Sequence, residues 1–319
     1  MLRFAWAIHQ PMEQLSAAMC CCFGRGGYKF EYVDETAYLQ HSVLDAVRFF
    51  VQHGFVVMSP SLASLPQCEL EAIDKWAVSQ PCTDKNLRDD AMLRYSMNDV
   101  RNLLNDDVMA IVKTMMHEGS PVHSVMAGIC ERYDVKQRKD KFFVDRFGGD
   151  TVLPGGCGQA LHSDWPGSDW SVPAAIACSI FSRDFSPSAA PLAVVSRAHG
   201  GPSQAFRNAP ISPFLAQHVQ TIVAPKGSVL IRDVHVWHGG TPNFTSTPRS
   251  LPCLRIVLHS AIKKHGFKPR RVVDEDTYEA LGLNDHFSYV FQQRAAAEPE
   301  PNADNIKLSS AEPNAESIM

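Results

Sequence analysis

Pro225-Lys226-Gly227-Ser228-Val229-Leu230-Ile231-Arg232-Asp233-Val234-His235-Val236-Trp237-His238-Gly239-Gly240-Thr241-Pro242-Asn243 holds two strand-like runs between turns. Pro225-Lys226-Gly227 and Thr241-Pro242-Asn243 are turn chemistry, and residues 228–231 and 234–237 are short runs rich in branched and aromatic side chains. Comparable runs recur at 141–147, 172–181, 192–195, 219–223 and 254–258, with a glycine- and proline-rich loop expected at 148–158. Many short strands at such spacing predict a sandwich or barrel. The first half reads differently. Ala37, Leu44, Val47 and Phe50 recur at helical spacing in a helix expected at about 35–53 and ended by Gly54. A buried strand follows at 55–58 and a turn at 59–61, with further helices expected at about 66–79 and 98–119. Helices first and strands afterwards predict an α+β fold: a double-stranded β-helix (jelly-roll, cupin-like) core at about 141–262 with N-terminal helices.

The ends change in composition. Residues 1–28 read as a disordered leader, 29–293 as a single domain, and 294–319, poor in apolar residues, as a disordered tail. A net charge of -4 provides no basic field for nucleic acid. The one basic stretch, from Lys263 and Lys264 to Arg270 and Arg271, reads as a solvated face. No apolar run approaches the roughly 18 residues of a membrane span. The nine cysteines are odd in number, and the six outside the Cys20-Cys21-Cys22 run show no CxxC spacing. Reduced thiols in an intracellular, cytoplasmic protein are expected. Organelle targeting by the leader and acylation of the cysteine run stay open, and nothing in the sequence fixes an oligomeric state.

The chemistry rests on three separated features. In His162-Ser163-Asp164, residues two apart on a strand share a face, so an imidazole and a carboxylate converge. Alone, such a pair reads as a satisfied surface contact. His238 ends a strand at a glycine-rich turn, where a barrel can present a side chain at its mouth. Two histidines and one carboxylate form a facial triad that leaves positions open on an octahedral iron(II). Arg249, after the turn, is expected on a strand returning beside that of His238, where its guanidinium can grip a carboxylate through two oxygens. His235 is a rival ligand, placed on the opposite face by its odd spacing from His238. His199 reads as packing or supporting structure, Asp233 as surface or as a partner that orients a histidine, and Trp165, Trp170 and Trp237 as core or pocket wall.

Taken together, Gln159-Ala160-Leu161-His162-Ser163-Asp164, Trp237-His238-Gly239-Gly240-Thr241-Pro242-Asn243 and Arg249 resemble the phytanoyl-CoA dioxygenase family. That family reads Gln-x-x-His-x-Asp, His-Gly-Gly or His-Gly-Ser before Pro-Asn, and an arginine about eleven residues on. The run from Pro191 to His199 resembles the family strand ending in Pro-Gly-Ser-His, although Ser196-Arg197-Ala198 departs from it. The resemblance spans about residues 36–262 and implies an iron(II)- and 2-oxoglutarate-dependent dioxygenase that uses O2. It implies iron ligands His162, Asp164 and His238, with Arg249 on the 5-carboxylate of 2-oxoglutarate and Gln159 contacting the co-substrate near the metal. Gly240 replaces the serine of many members, and Thr241 is expected to supply the missing hydroxyl. The implied reaction is hydroxylation of a small organic or acyl substrate with release of succinate and carbon dioxide; a carboxylate at position 164 leaves no site for a halide. The rival readings are a zinc hydrolase on the same ligands and a non-catalytic cupin-like binding protein.

Overall fold

The protein is seen here as a computed structural model that describes residues 38–82, 87–89, 93–133, 142–165, 172–196 and 219–258, all within the compact unit Met1–Tyr289. The expected leader and tail, the basic stretch after Lys263, Cys20-Cys21-Cys22, Trp170 and His199 lie outside these residues.

Strand β1 (Leu39–Gln40) precedes helix α1 (Val43–His53). The helix starts later than its apolar spacing implied. Ser42 is extended at φ -134° and accepts the Asp45 N–H, while β1 pairs in parallel with β2 (Phe55–Met58). Gly54, at φ 80°, closes α1 with its N–H on the Phe50 carbonyl at 2.7 Å. Residues 59–61, expected as a turn, open the one-turn helix α2 (Pro60–Ala63), which Ser59 caps. Helix α3 (Gln67–Ser79) follows Pro66 as anticipated. The helix expected at 98–119 is broken. A 3-10 turn, Val100–Leu104, stops at Asn105, whose side chain accepts the Asp107 and Val108 N–H groups and starts α4 (Asp106–Met116) afresh. Helix α5 (Pro121–Arg132), which the sequence reading missed, begins with Pro121 after the Ser120 cap.

The remaining strands are β3 (Leu87–Asp89), β4 (Arg94–Ser96), β5 (Phe142–Val152), β6 (Ala175–Ile180), β7 (Leu192–Val195), β8 (Val219–Ile222), β9 (Val229–Asp233), β10 (His238–Gly240) and β11 (Arg249–Leu258). They form an eight-stranded sheet in the order β1-β2-β9-β6-β11-β5-β4-β3 and a three-stranded sheet β10-β7-β8. Every pairing but β1–β2 is antiparallel. This is the α+β jelly-roll class, and among the described residues the strands form two sheets and close no barrel. Two expectations fail here. Residues 234–237 are no strand: the Val236 N–H bonds back to the Asp233 carbonyl and the chain turns before β10. Residues 148–152 are no loop: β5 runs on through them. Gly148 and Gly149 sit there because a Cβ would strike the Asn98 backbone and the Leu251 carbonyl respectively.

The central strands β2, β6 and β9 are buried throughout, and their side chains alternate between two faces with a period of two. Val56, Met58, Ile176, Cys178, Ile180, Val229, Ile231, Leu254, Ile256 and Leu258 join Phe50, Ile73, Ile111 and Met126 in a core between large sheet and helices. The opposite face gives Phe55, Val57, Leu230 and Leu251 to a second core shared with Leu192 and Val194 of the small sheet. Beyond this second core, the same face lines a cavity. No helix among the described residues is long and apolar enough to cross a membrane, and the six described cysteines are all free thiols.

Candidate active site

Residue 162 forms an isolated antiparallel bridge with 238, each N–H donating to the other's carbonyl at 2.8 Å. This mutual exchange brings the two backbones to about 5.5 Å, and the imidazole centroids lie 4.5 Å apart. The chain then bends. The Asp164 N–H reaches the Val234 carbonyl at 3.1 Å, and the Ser163 hydroxyl donates to the same carbonyl at 3.2 Å. Asp164 therefore meets the histidines by way of a bend held on 234, not by simple strand alternation. Gly239 allows the close approach, since a Cβ there would lie 2.8 Å from the Gln159 carbonyl.

The two histidines are oriented alike. His162 Nδ1 lies 3.0 Å from the Ala160 carbonyl and His238 Nδ1 3.0 Å from the Val236 carbonyl, in each case two residues back. Donation from Nδ1 leaves the Nε2 lone pairs facing Asp164, at 3.7 Å from its Oδ1 and 3.5 Å from its Oδ2. One ligand atom from each of the three residues falls within 4.8 Å of the others, and no other such group occurs among the described residues. Adjacent ligands of a six-coordinate ion stand about 3 Å apart, so small side-chain movements would close this set on one. The donor set fits iron(II).

Charge supports the arrangement. Burial would raise the Asp164 carboxyl, but His238, Arg232 and His162 outweigh it and hold the group far below the usual carboxylate range. Burial, then Arg232, push His238 well below the ordinary imidazole value, which favours the uncharged ring; with that ring uncharged, Arg232 is the permanent cation that holds Asp164 low. Arg232 on β9 donates to Asp164 Oδ2 at 2.9 Å. Its Nη1, 3.0 Å from His238 Nδ1, can only donate and so competes with the Val236 carbonyl for that nitrogen, and the ligand tautomer is the one in which Val236 holds the Nδ1 proton.

Arg249 is buried and lines the same cavity, of about 120 Å³, as His162, Asp164, His238 and Gln159. It arrives from the large sheet: β11 pairs with β5 and β6, so the strand expected beside that of His238 lies across the cavity from it. Its guanidinium donates to the Ala190 carbonyl and sits 5.4 Å over the Phe185 ring. Burial, then Arg94, lower it to about 9 against the pull of Asp150, and it stays charged at neutral pH. Gln159 clamps position 240 twice, with its N–H on the Gly240 carbonyl at 2.7 Å and its Oε1 accepting the Gly240 N–H at 3.2 Å. The Thr241 hydroxyl, expected to replace a serine, donates to the Pro191 carbonyl at 2.8 Å and lies outside the cavity wall.

Sequence reasoning missed Arg146 and Arg232 in this cavity, and it missed Arg94. Arg94 is buried, and its guanidinium fills the space that a Cβ at Gly240 would need. Arg94 and Arg249 are both register partners of Val152, so the two flank one position on one face. No local signal announces a contact between residues so far apart in sequence. Asp233 and His235 form a pair of their own, His235 Nδ1 lying 2.8 Å from Asp233 Oδ1 with both residues buried. Asp233 thus orients His235, which is not in the ligand set, and is not a surface residue. Trp165 packs on the helix-side core and Trp237 is buried.

Comparison with known proteins agrees with the geometry. No curated protein sequence matches. Among solved structures, the non-heme alpha ketoglutarate dependent epimerase SnoN from nogalamycin biosynthesis superposes with a TM-score of 0.53 at 12% identity, over 67% of this chain and 80% of that one. SnoN in complex with Fe3+, alpha ketoglutarate and nogalamycin RO gives 0.51 at 13% identity, over 67% and 83%. EctD from S. alaskensis with 2-oxoglutarate and 5-hydroxyectoine gives 0.49 at 14%, over 73% and 83%. At such identities the SnoN likeness speaks for the fold alone. The family model described as phytanoyl-CoA dioxygenase matches residues 71–251, more than half of the chain. The chain therefore belongs to the phytanoyl-CoA dioxygenase family of iron(II)- and 2-oxoglutarate-dependent oxygenases.

Proposed function

We propose that this oxygenase hydroxylates a small organic or acyl substrate with release of succinate and carbon dioxide, within a single domain spanning residues 29–293. The observation that carries the reading is the convergence of His162 Nε2, His238 Nε2 and the Asp164 carboxylate on one point, with the buried Arg249 in the same cavity. Bound iron(II) with 2-oxoglutarate and O2 would supply oxidative decarboxylation and an oxidant for a C–H bond. The chain's own residues do the rest. His162 and His238 would offer their Nε2 lone pairs, oriented by the Nδ1 contacts to the Ala160 and Val236 carbonyls. Asp164 contributes the charge, and its occupancy of the third position argues for hydroxylation over halogenation. Arg249, with Arg94 beside it, receives the far carboxylate of the co-substrate where water is excluded. Gln159 holds the Gly240 end of the ligand strand β10 through two hydrogen bonds.

The test is anaerobic titration with iron(II) and then 2-oxoglutarate. Wild-type protein should bind one iron and gain a weak metal-to-ligand absorption band, and His162→Ala should lose iron affinity by more than the roughly 10–100-fold expected from a supporting residue. A His162→Ala protein that binds iron and shows the band as wild type does would overturn the ligand assignment.

A further inference from the structure

Among the described residues five arginines line the cavity, Arg94, Arg146, Arg232, Arg249 and Arg255, together with Asp150 and Asp164. The distal carboxylate of the co-substrate engages one or two guanidiniums, which leaves the others to another role.

The arginines are also ordered. Arg94 and Arg249 flank Val152 at one end of the sheet face. At the other end, Arg146 on β5 is the register partner of Arg255 on β11, Arg255 of Ala177 on β6, and Ala177 of Arg232 on β9. Three guanidiniums thus stand in one row across four neighbouring strands, with only the small Ala177 between Arg255 and Arg232. Arg232 ends the row at the candidate metal ligands, through Asp164. With strands about 4.8 Å apart, Arg255 is anchored about 10 Å from Arg232, and Arg146 about 14 Å. Along β11, Arg249 and Arg255 are six residues, or about 20 Å, apart. A five-carbon diacid held at the metal and at Arg249 extends toward the Val152 end of the face, away from Arg146 and Arg255.

We infer that the row Arg146–Arg255 is the substrate's anchor, and that the substrate carries an oxyanion, a carboxylate or a phosphate, placed some two strand spacings from the metal. The inference rests on the oxygenase reading above and adds the substrate class to it. Arg146 and Arg255 are half-buried, so they face the cavity while remaining reachable by a ligand. Paired guanidiniums bind two oxygens of one oxyanion at once, which fixes orientation as well as charge. The carbon presented to the metal is then set by its distance from that anion.

The experiment uses full-length protein loaded anaerobically with iron(II) and saturating 2-oxoglutarate, probed by fluorine NMR. The probes are trifluoroacetate for the carboxylate arm, monofluorophosphate for the phosphate arm and trifluoroacetamide as the neutral control. At least one anion should bind and the amide should not, and the stronger anion identifies the group. Arg255→Met and Arg146→Met should each weaken the bound anion at least tenfold, Arg255→Lys should retain most of the affinity, and the absorption band of bound 2-oxoglutarate should be unchanged in all three. Equal binding of the amide, binding insensitive to both methionine variants, or no anion binding while the band is intact would each overturn the inference. Absence of the band in wild-type protein would instead overturn the oxygenase reading, and the substrate assignment with it.

Discussion

The two faces of the large sheet do different work with the same strands. On β11, Leu254, Ile256 and Leu258 are buried against the helices, whereas Arg249, Leu251, Cys253 and Arg255 line the cavity. On β9, Val229 and Ile231 pack into the helix-side core and Arg232 contacts Asp164. On β6, Ile176, Cys178 and Ile180 face the helices and Ala177 and Ser179 the cavity. The helix face is uniformly apolar and closed by α1, α3, α4 and α5. The other face tolerates arginines, small residues and a thiol. A period of two lets one segment supply stability with alternate residues and charge with the rest. Substitutions on the two faces should therefore separate cleanly into folding effects and ligand effects.

The largest expected effect is on the helix face. Ile256→Ala removes a fully buried side chain, and its unfolding free energy in urea should fall by about 2–5 kcal/mol. Affinities for iron and 2-oxoglutarate should stay near those of wild type. A stable Ile256→Ala with impaired iron binding would mean that the faces are not independent.

Arg249→Ala tests the other side of the same strand. Losing a charged two-pronged contact should weaken 2-oxoglutarate binding by roughly 2–4 kcal/mol, read from titration of the absorption band. Iron affinity should hold. Stability should change little or rise, because one of two neighbouring buried guanidiniums is gone. An unchanged affinity for 2-oxoglutarate would move its distal carboxylate elsewhere.

The smallest effect is expected at Gly240. Serine there restores the hydroxyl common in the family but collides with the Arg94 guanidinium. Gly240→Ser should cost about 1–3 kcal/mol in unfolding free energy and weaken 2-oxoglutarate less than Arg249→Ala does. If neither quantity moves, the Arg94 side chain swings aside freely and its packing over Gly240 is incidental.

What could be read from the sequence was what local chemistry encodes. The capping glycine at 54, the buried strand at 55–58 and the run at 192–195 follow from turn residues and branched side chains alone. The grouping of His162, Asp164 and His238 was legible through motif order and spacing, and the structure brings the three together. The failures share a cause, which is contact at a distance. Glycines 148 and 149 look like a loop until Asn98 and Leu251 are seen against them. Residues 234–236 look like a strand because Val234 and Val236 are branched, yet Asp233 captures the His235 N–H and the chain turns. Arg94, Arg146 and Arg232 carry no motif, and only strand register reveals that they share a cavity with Arg249.

The bridge between residues 162 and 238 also bears on how tightly this site can grip an ion. Two of the three ligands already exchange backbone hydrogen bonds. The entropy of closing the long loop between them is therefore lost when the sheet forms, not when metal arrives. Binding needs to order only side chains, so more of the intrinsic ligand strength should appear as affinity. The converse also holds for the polypeptide: an ion that ties together segments already joined adds little constraint to the unfolded-to-folded transition beyond mass action. The apo chain is thus expected to keep its architecture and to exchange metal as a preformed receptor, unlike small domains that fold only around their ion.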